Sequence, residues 1–198
     1  MRFRLKSALS CASTCLLVSL IVLSFMSARV YASTQILYKS GYFEGWQKGG
    51  SGDYWETSAD TSGNHRAYCY KNSNAWALIE GEQTYTGMTL TQIDIQVSVK
   101  NAYVYKNAPW FSTAIAKFWV KFIDATTGQV LFEDRSRDYS STQGLYWYHY
   151  VFTATVQSGH TYSLLAGAYV QTGYGWFWQY GTAEARGTID VMLVTGNP

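Results

Sequence analysis

Very few residues in this sequence could cross-link or stiffen the chain. Two prolines occur among 198 residues, and Pro198 is the last residue. Of the three cysteines, only Cys69 lies beyond residue 15, so the chain from residue 33 onward cannot form an internal disulfide. The fold of that part must therefore be held by its apolar core, for which its length is sufficient.

Negative charge is absent from the first 32 residues, whose first six include three basic side chains. An apolar run from about Leu16 to Phe25 follows, and Val30-Tyr31-Ala32 has the form of a cleavage site. These are the three parts of a secretory signal peptide, and the run is shorter than the roughly 20 residues that cross a bilayer. We therefore expect residues 1–32 to be a signal peptide and residues 33–198 to be one secreted, extracellular domain.

The charge balance beyond residue 32 excludes some partners. Four of the 15 basic residues and none of the 13 acidic residues lie before residue 33, which leaves a net charge of −2. No basic stripe remains, and this argues against nucleic acid as a partner. No further apolar segment is long enough to span a membrane. Nothing in the pattern sets an oligomeric state.

Alternation of apolar and polar residues dominates this part of the chain. Odd positions are apolar from Ile93 to Lys100, and even positions are apolar from Ala114 to Phe122. Such alternation is typical of strands with one buried face, and no segment shows a helical period. Turn residues follow at Asp124 to Gly128 and at Ser158-Gly159. The pattern predicts an all-β, antiparallel β-sandwich or barrel. The residues expected to be buried together are Ile93, Ile95, Val97, Phe118, Val120, Leu164 and Val191.

Short motifs resemble those of jelly-roll carbohydrate-binding modules and galactose-binding-like domains. The segment from Tyr38 to Trp46 resembles their opening motif, which commonly reads Phe-Glu-Ser-Gly and then Gly-Trp. Ser158 to Tyr162 is similar to their turn into a late strand, and Ile189 to Leu193 is similar to their closing strand. The resemblance implies a jelly-roll sandwich, and it bears on the fold more than on any activity.

The resemblance also implies a structural calcium ion, but two expected carboxylates are missing. Many such modules hold calcium with a Glu of the opening motif and an Asp of the closing strand. Here Lys39 and Ile189 occupy those positions, and only Asp190 remains. Calcium prefers several hard oxygen ligands, so we expect no metal and no cofactor. The adjacent loop offers other oxygen donors, namely Asp53, Glu56, Asp60 and Asn64.

Signals for catalysis are scarce. The three histidines form no His-Glu-x-x-His motif, and no Gly-x-Ser-x-Gly motif occurs. Glycoside hydrolysis needs two carboxylates across a cleft, and no spacing of the acidic residues shows such a pair. We therefore expect a protein that is not an enzyme.

Aromatic residues are abundant, with 17 Tyr, 9 Phe and 8 Trp. Trp119, Trp147 and Tyr169 fall on the outward side of their predicted strands. Such rings stack on sugar faces, and neighbouring polar groups such as Gln171 bond hydroxyls, although packing between strands is the alternative role. The predicted ligand-binding residues are Trp119, Trp147, Tyr169 and Gln171, with a second group in glycine-bracketed loops at Trp110, Trp176 and Trp178.

These observations lead to one hypothesis and two alternatives. The hypothesis is a secreted, non-catalytic, lectin-like domain that binds extracellular or cell-surface carbohydrate through aromatic side chains. The first alternative is a structural or adhesive extracellular protein whose outward aromatic residues contact other proteins. The second alternative is a small secreted hydrolase. The sequence does not specify which sugar is bound.

Overall fold

The structure, a computed structural model, describes residues 34–40, 43–139, 144–175 and 178–198. The predicted signal peptide lies outside these residues. Every pairing between strands is antiparallel, which confirms the all-β prediction. No helix in the described ranges has the length and apolar character needed to cross a membrane. The described residues form nine strands: β1 (Thr34–Ser40), β2 (Gly45–Ala59), β3 (Asn64–Thr84), β4 (Leu90–Asn107), β5 (Thr113–Asp124), β6 (Gln129–Asp134), β7 (Leu145–Val156), β8 (Thr161–Gly173) and β9 (Thr182–Asn197).

The strand order is that of a jelly roll. In the described part of the chain, the first sheet runs β6-β5-β8 and then the second half of β3, from Ser73 to Thr84. The second sheet runs β7-β4-β9 and then the first half of β3, from Asn64 to Tyr70. β3 passes between the sheets near Lys71, whose φ is 66°. Four antiparallel strands in each layer, in this order, form the core of a jelly roll. β2 pairs with both halves of β3, and β1 pairs with the end of β9.

The two sheets pack face to face through their apolar positions. Phe118 of β5 stacks on Tyr148 of β7 with ring centroids 4.2 Å apart and an interplanar angle of 5°. Phe132 of β6 stacks on Phe152 of β7 at 4.8 Å. These contacts join the two layers, so the sandwich prediction is confirmed. Six of the seven residues expected to share the core are fully buried, namely Ile93, Ile95, Val97, Phe118, Val120 and Leu164.

The seventh residue, Val191, is only partly buried, so its predicted place in the core is wrong. A β-bulge in β9 explains the difference. Ser98 of β4 pairs with Val191, whereas Val99 pairs with Ile189, so Asp190 is an extra residue. One extra residue reverses the faces of everything that follows, and Met192 therefore faces the core.

Cys69 is fully buried in this core. Its Sγ atom accepts a hydrogen bond from the hydroxyl of Thr172, at 3.4 Å. Burial raises the pKa of the Cys69 thiol to about 11, which leaves almost no thiolate at neutral pH. Cys69 is therefore a small core side chain.

The two predicted turns lie together at one end of the sandwich. In the β5–β6 turn, the Asp124 carboxylate accepts hydrogen bonds from the backbone N–H groups of Thr126 and Thr127, at 3.0 and 3.2 Å. It also pairs with His160 of the β7–β8 turn at 2.8 Å. Gly159 of that turn has a φ of 87°, a left-handed conformation that glycine adopts without strain. The β4–β5 and β8–β9 loops therefore lie at the opposite end, where β5 begins and β8 ends.

Candidate functional site

Trp119 and Tyr169 lie together on the outer face of the first sheet, but their neighbours cover them. The ring of Trp119 meets Trp76 and Tyr169 edge to face, with both pairs of centroids 5.9 Å apart. The Arg135 guanidinium lies over the rings of Trp119 and Tyr169, at 5.0 and 5.6 Å. Trp119 and Tyr169 are therefore partly buried, and their contacts are those of cross-strand packing.

Trp147 lies on the other side of the sandwich. It belongs to β7, at the far edge of the second sheet, and its side chain is 62% exposed. Because Phe118 and Tyr148 stack between the sheets, their chain neighbours Trp119 and Trp147 point away from each other. The structure therefore does not bring Trp147 into one platform with Trp119 and Tyr169. Gln171 is exposed beside Tyr169, whose hydroxyl donates a hydrogen bond to it at 3.0 Å.

The second predicted group lies at the end of the sandwich where the β4–β5 and β8–β9 loops meet. Trp110 is 67% exposed and Trp178 is 82% exposed. The two loops touch, because a Cβ atom on Gly175 would clash with the backbone oxygen of Trp110. Trp176 lies outside the described residues. We define the aromatic tip as Trp110, Phe111, Tyr174, Trp178 and Tyr180.

The backbone of the aromatic tip is unusual. Trp110, Phe111 and Trp178 have φ angles of 44°, 63° and 59°, in the left-handed region. For a bulky side chain this region costs on the order of 1–2 kcal/mol, and such residues cluster at ligand-binding sites. The loop is held by a hydrogen bond from Ser112 N–H to the Pro109 carbonyl, at 3.0 Å. The strain therefore marks the tip as a candidate binding site.

Polar groups support the base of the tip. The rings of Tyr174 and Tyr180 lie 5.4 Å apart, and the Lys71 ammonium lies 5.4 Å from the centroid of Tyr180. The Tyr174 hydroxyl donates a hydrogen bond to the Asp53 carboxylate, and this bond raises the pKa of Tyr174. The base of the tip thus presents an ammonium, a carboxylate and a phenol beside exposed indole rings. Flat apolar surface beside hydrogen-bonding groups is what recognition of a sugar ring requires.

The outer face of the second sheet carries a polar pocket that sequence reasoning missed. A bulge in β4 between Lys100 and Tyr103, with Asn101 at a φ of 52°, shapes its edge. Neither feature has a sequence signal that alternation alone reveals. The outer-face pocket has a volume of about 490 Å³ and is lined by Ser58, Asn64, His65, Arg66, Asn101, Tyr103, Arg186, Gly187 and Thr188.

Two of the pocket residues are held by partners outside it. His65 is buried, with Nδ1 3.3 Å from the Gly63 carbonyl and Nε2 2.8 Å from the Tyr139 hydroxyl. We assign Nδ1–H as the donor to Gly63 and Nε2 as the acceptor from Tyr139. Burial lowers the pKa of His65 to about 4, so the ring is neutral at pH 7. Arg66 pairs with Glu184 at 2.7 Å and with Glu56 at 3.0 Å.

The described residues do not fit the calcium ion that the resemblance implies. Ile189 is buried in the core, and the Asp190 carboxylate pairs with Lys100 at 2.6 Å. Asp60 accepts hydrogen bonds from the backbone of Ser62 and from Asn64. Across the described ranges, no group of three or more His, Cys, Asp or Glu residues is placed to hold a metal ion. The structure does not describe the side chain of Lys39. The absence of a cofactor therefore stays a prediction.

Comparison with known proteins finds similarity of fold only. No protein-family model and no curated protein matches the sequence. Among solved structures, a cyclase from Fischerella sp. TAU is 13% identical over 84% of this chain and 98% of its own, with a TM-score of 0.42. The C-terminal CBM6 of LamC, a marine laminarinase from Zobellia galactanivorans, is 10% identical over 82% and 98%, with a TM-score of 0.37.

A third likeness covers only part of the other protein. The enzymatically active domain of tailspike protein 4 from bacteriophage CBA120 is 14% identical over 78% of this chain, with a TM-score of 0.40. The chain spans 20% of the length of that tailspike chain. These low scores assign no ligand and no activity. The class that the strand order itself defines is a jelly-roll β-sandwich.

Proposed function

We propose that the chain is a secreted, non-catalytic domain that binds extracellular carbohydrate at the aromatic tip. The observation that carries this proposal is the pair of exposed indole rings, Trp110 and Trp178, on two loops in contact. Both residues have φ angles in the left-handed region, which is costly for bulky side chains. Each ring stacked on a sugar face should contribute on the order of 1 kcal/mol, by analogy with other ring contacts.

The groups around the tip favour binding over hydrolysis. In the described contacts of the tip, the carboxylate is that of Asp53, which accepts a hydrogen bond from the Tyr174 hydroxyl. Hydrolysis of a glycosidic bond uses two carboxyl groups about 5–10 Å apart on either side of the sugar. One occupied carboxylate beside an ammonium offers hydrogen bonds to hydroxyls but no such acid–base pair.

Replacing Trp178 by Ala should weaken carbohydrate binding several-fold to tenfold and leave the melting temperature nearly unchanged. The ring is 82% exposed, so its removal deletes a stacking surface without opening a cavity. The measurement is retention of the mature domain in affinity gels that contain a panel of neutral polysaccharides. Trp110→Ala should behave in the same way.

Trp147→Ala is the matched control, because Trp147 is also exposed but lies on a strand remote from the tip. It should be retained like the parent. Equal retention of the parent and both tip variants by a polysaccharide that binds the parent would place the site elsewhere. A parent that no polysaccharide retains would contradict the proposed function itself and favour a structural or adhesive role.

A further inference from the structure

Arg186 occupies a distinctive position in the outer-face pocket. Its guanidinium lies over the ring of Tyr103, with Cζ 4.4 Å from the ring centroid. Stacking on an aromatic ring holds a guanidinium in one orientation while its N–H groups stay available. Arg186 itself is exposed, and in the described part of the chain no carboxylate lies within ion-pair distance of it.

The other charges around the pocket already have partners. Glu184, two residues before Arg186 on β9, accepts a hydrogen bond from Arg66 at 2.7 Å. Lys100 pairs with Asp190 at 2.6 Å. Asp60, beyond the pocket rim, is occupied by the backbone and side chain of Asn64 and by Ser62.

Apart from Arg66, whose charge is paired with Glu56 and Glu184, the rest of the lining is neutral and polar. None of the described lining residues is a carboxylate, and the buried ring of His65 is neutral at pH 7 because its pKa is about 4. The lining also includes the hydroxyl of Ser58 and the amide of Asn101, both exposed. An anion would therefore meet one oriented guanidinium with open donors, surrounded by groups that bond hydroxyls.

We propose that the outer-face pocket is a second binding site, which takes an anionic group of a saccharide through Arg186. The group is a uronate carboxylate or a sulfate ester, because both present paired oxygens to the two parallel N–H groups of a guanidinium. Ser58 and Asn101 then bond hydroxyls of the same sugar. The proposal rests on the proposed function only in taking the ligand to be a saccharide, since the site itself is separate from the aromatic tip.

The test compares matched polysaccharides that differ in charge. Dextran sulfate is paired with dextran, and polygalacturonate is paired with methyl-esterified pectin, in affinity gels at low and high salt. The parent should be retarded more by at least one acidic member than by its neutral partner, and salt should reduce the difference. If dextran sulfate retards the parent more strongly, sulfate is the preferred group. If polygalacturonate does so, carboxylate is the preferred group.

Arg186→Gln should weaken binding of the acidic polysaccharide at least tenfold, the loss typical of a charge-assisted hydrogen bond. Arg186→Lys should restore little of it, because an ammonium cannot make the paired contact or stack flat on Tyr103. The matched control is Arg135→Gln, which also removes an arginine stacked on aromatic rings but on the other sheet. It should bind like the parent, and all three variants should melt near the parent temperature.

Two results would overturn the inference. One is a parent that binds no acidic polysaccharide more tightly than its neutral partner. The other is an Arg186→Gln variant that binds the acidic polysaccharide like the parent, or no more weakly than Arg135→Gln does. If Trp178→Ala still binds neutral polysaccharide more weakly than the parent in that case, the proposed function stands and only the second site fails. If instead Arg186→Gln binds the acidic polysaccharide more weakly while the tip variants bind like the parent, the proposal for the pocket stands and the proposal for the aromatic tip fails.

Discussion

Phe118→Ala is expected to lower the free energy of unfolding by about 3 to 5 kcal/mol, the range for deleting a core aromatic side chain. Phe118 is fully buried between the two sheets, where it stacks on Tyr148 at 4.2 Å and meets Tyr139 edge to face at 5.8 Å. Its loss leaves a cavity at the contact between layers, which rigid strands cannot close. Urea denaturation of the parent and the variant measures the difference.

The matched control for this core position is Val151→Ala. Val151 is exposed on β7, the strand against which Phe118 packs, but on the outer face. Its truncation should change the free energy of unfolding by no more than about 0.5 kcal/mol. Similar losses in Phe118→Ala and Val151→Ala would contradict the two-layer packing.

Acid should destabilise the domain through His65. The pKa of His65 falls from 6.5 to about 4 on folding because the ring is buried, so the unfolded chain binds the proton more tightly. The stabilising contribution of the neutral ring is complete above pH 6.5 and is lost as the pH falls from 6.5 to 4. By proton linkage this loss amounts to about 3 kcal/mol at pH 4 and below.

The variant that tests the pH dependence is His65→Gln, measured by urea denaturation at several pH values between 7 and 4. Gln does not titrate, so the variant should be less stable than the parent at pH 7 but should lose much less stability in that window. His149→Gln is the control, because His149 is exposed on the outer face of β7, and it should follow the parent. Parallel pH profiles for the parent and His65→Gln would contradict the account.

The sequence indicates the layers of this fold well where alternation is unbroken. Ile93, Ile95 and Val97 face the core because no bulge interrupts β4 between them. The expectation for Val191 failed because the extra residue at Asp190 reverses the alternation, and a bulge leaves no mark in the pattern of apolar residues. Likewise, the bend of β3 at Lys71, which lets one strand serve both sheets, depends on tertiary pairing and not on local preference.

The candidate binding surfaces were less predictable than the core. Alternation correctly predicts that Trp119 and Trp147 point out of the core, but it does not say which sheet carries each one. Whether an outward ring is free depends on its neighbours, and Trp119 is covered by Trp76 and Arg135. The outer-face pocket was missed because its residues come from four strands and a bulge near Asn101 shapes its edge.

Binding of carbohydrate at the aromatic tip is tested most directly by following the tryptophan indole N–H signals by NMR during titration with a polysaccharide fragment that the domain retains. Trp→Phe variants assign each signal. We expect the signals of Trp110 and Trp178 to shift with a common saturation curve, because their rings stack on the sugar. The signal of Trp119, which is packed beneath Arg135, should stay unchanged. Saturable shifts of Trp119 or Trp147 with none at Trp110 and Trp178 would contradict the account.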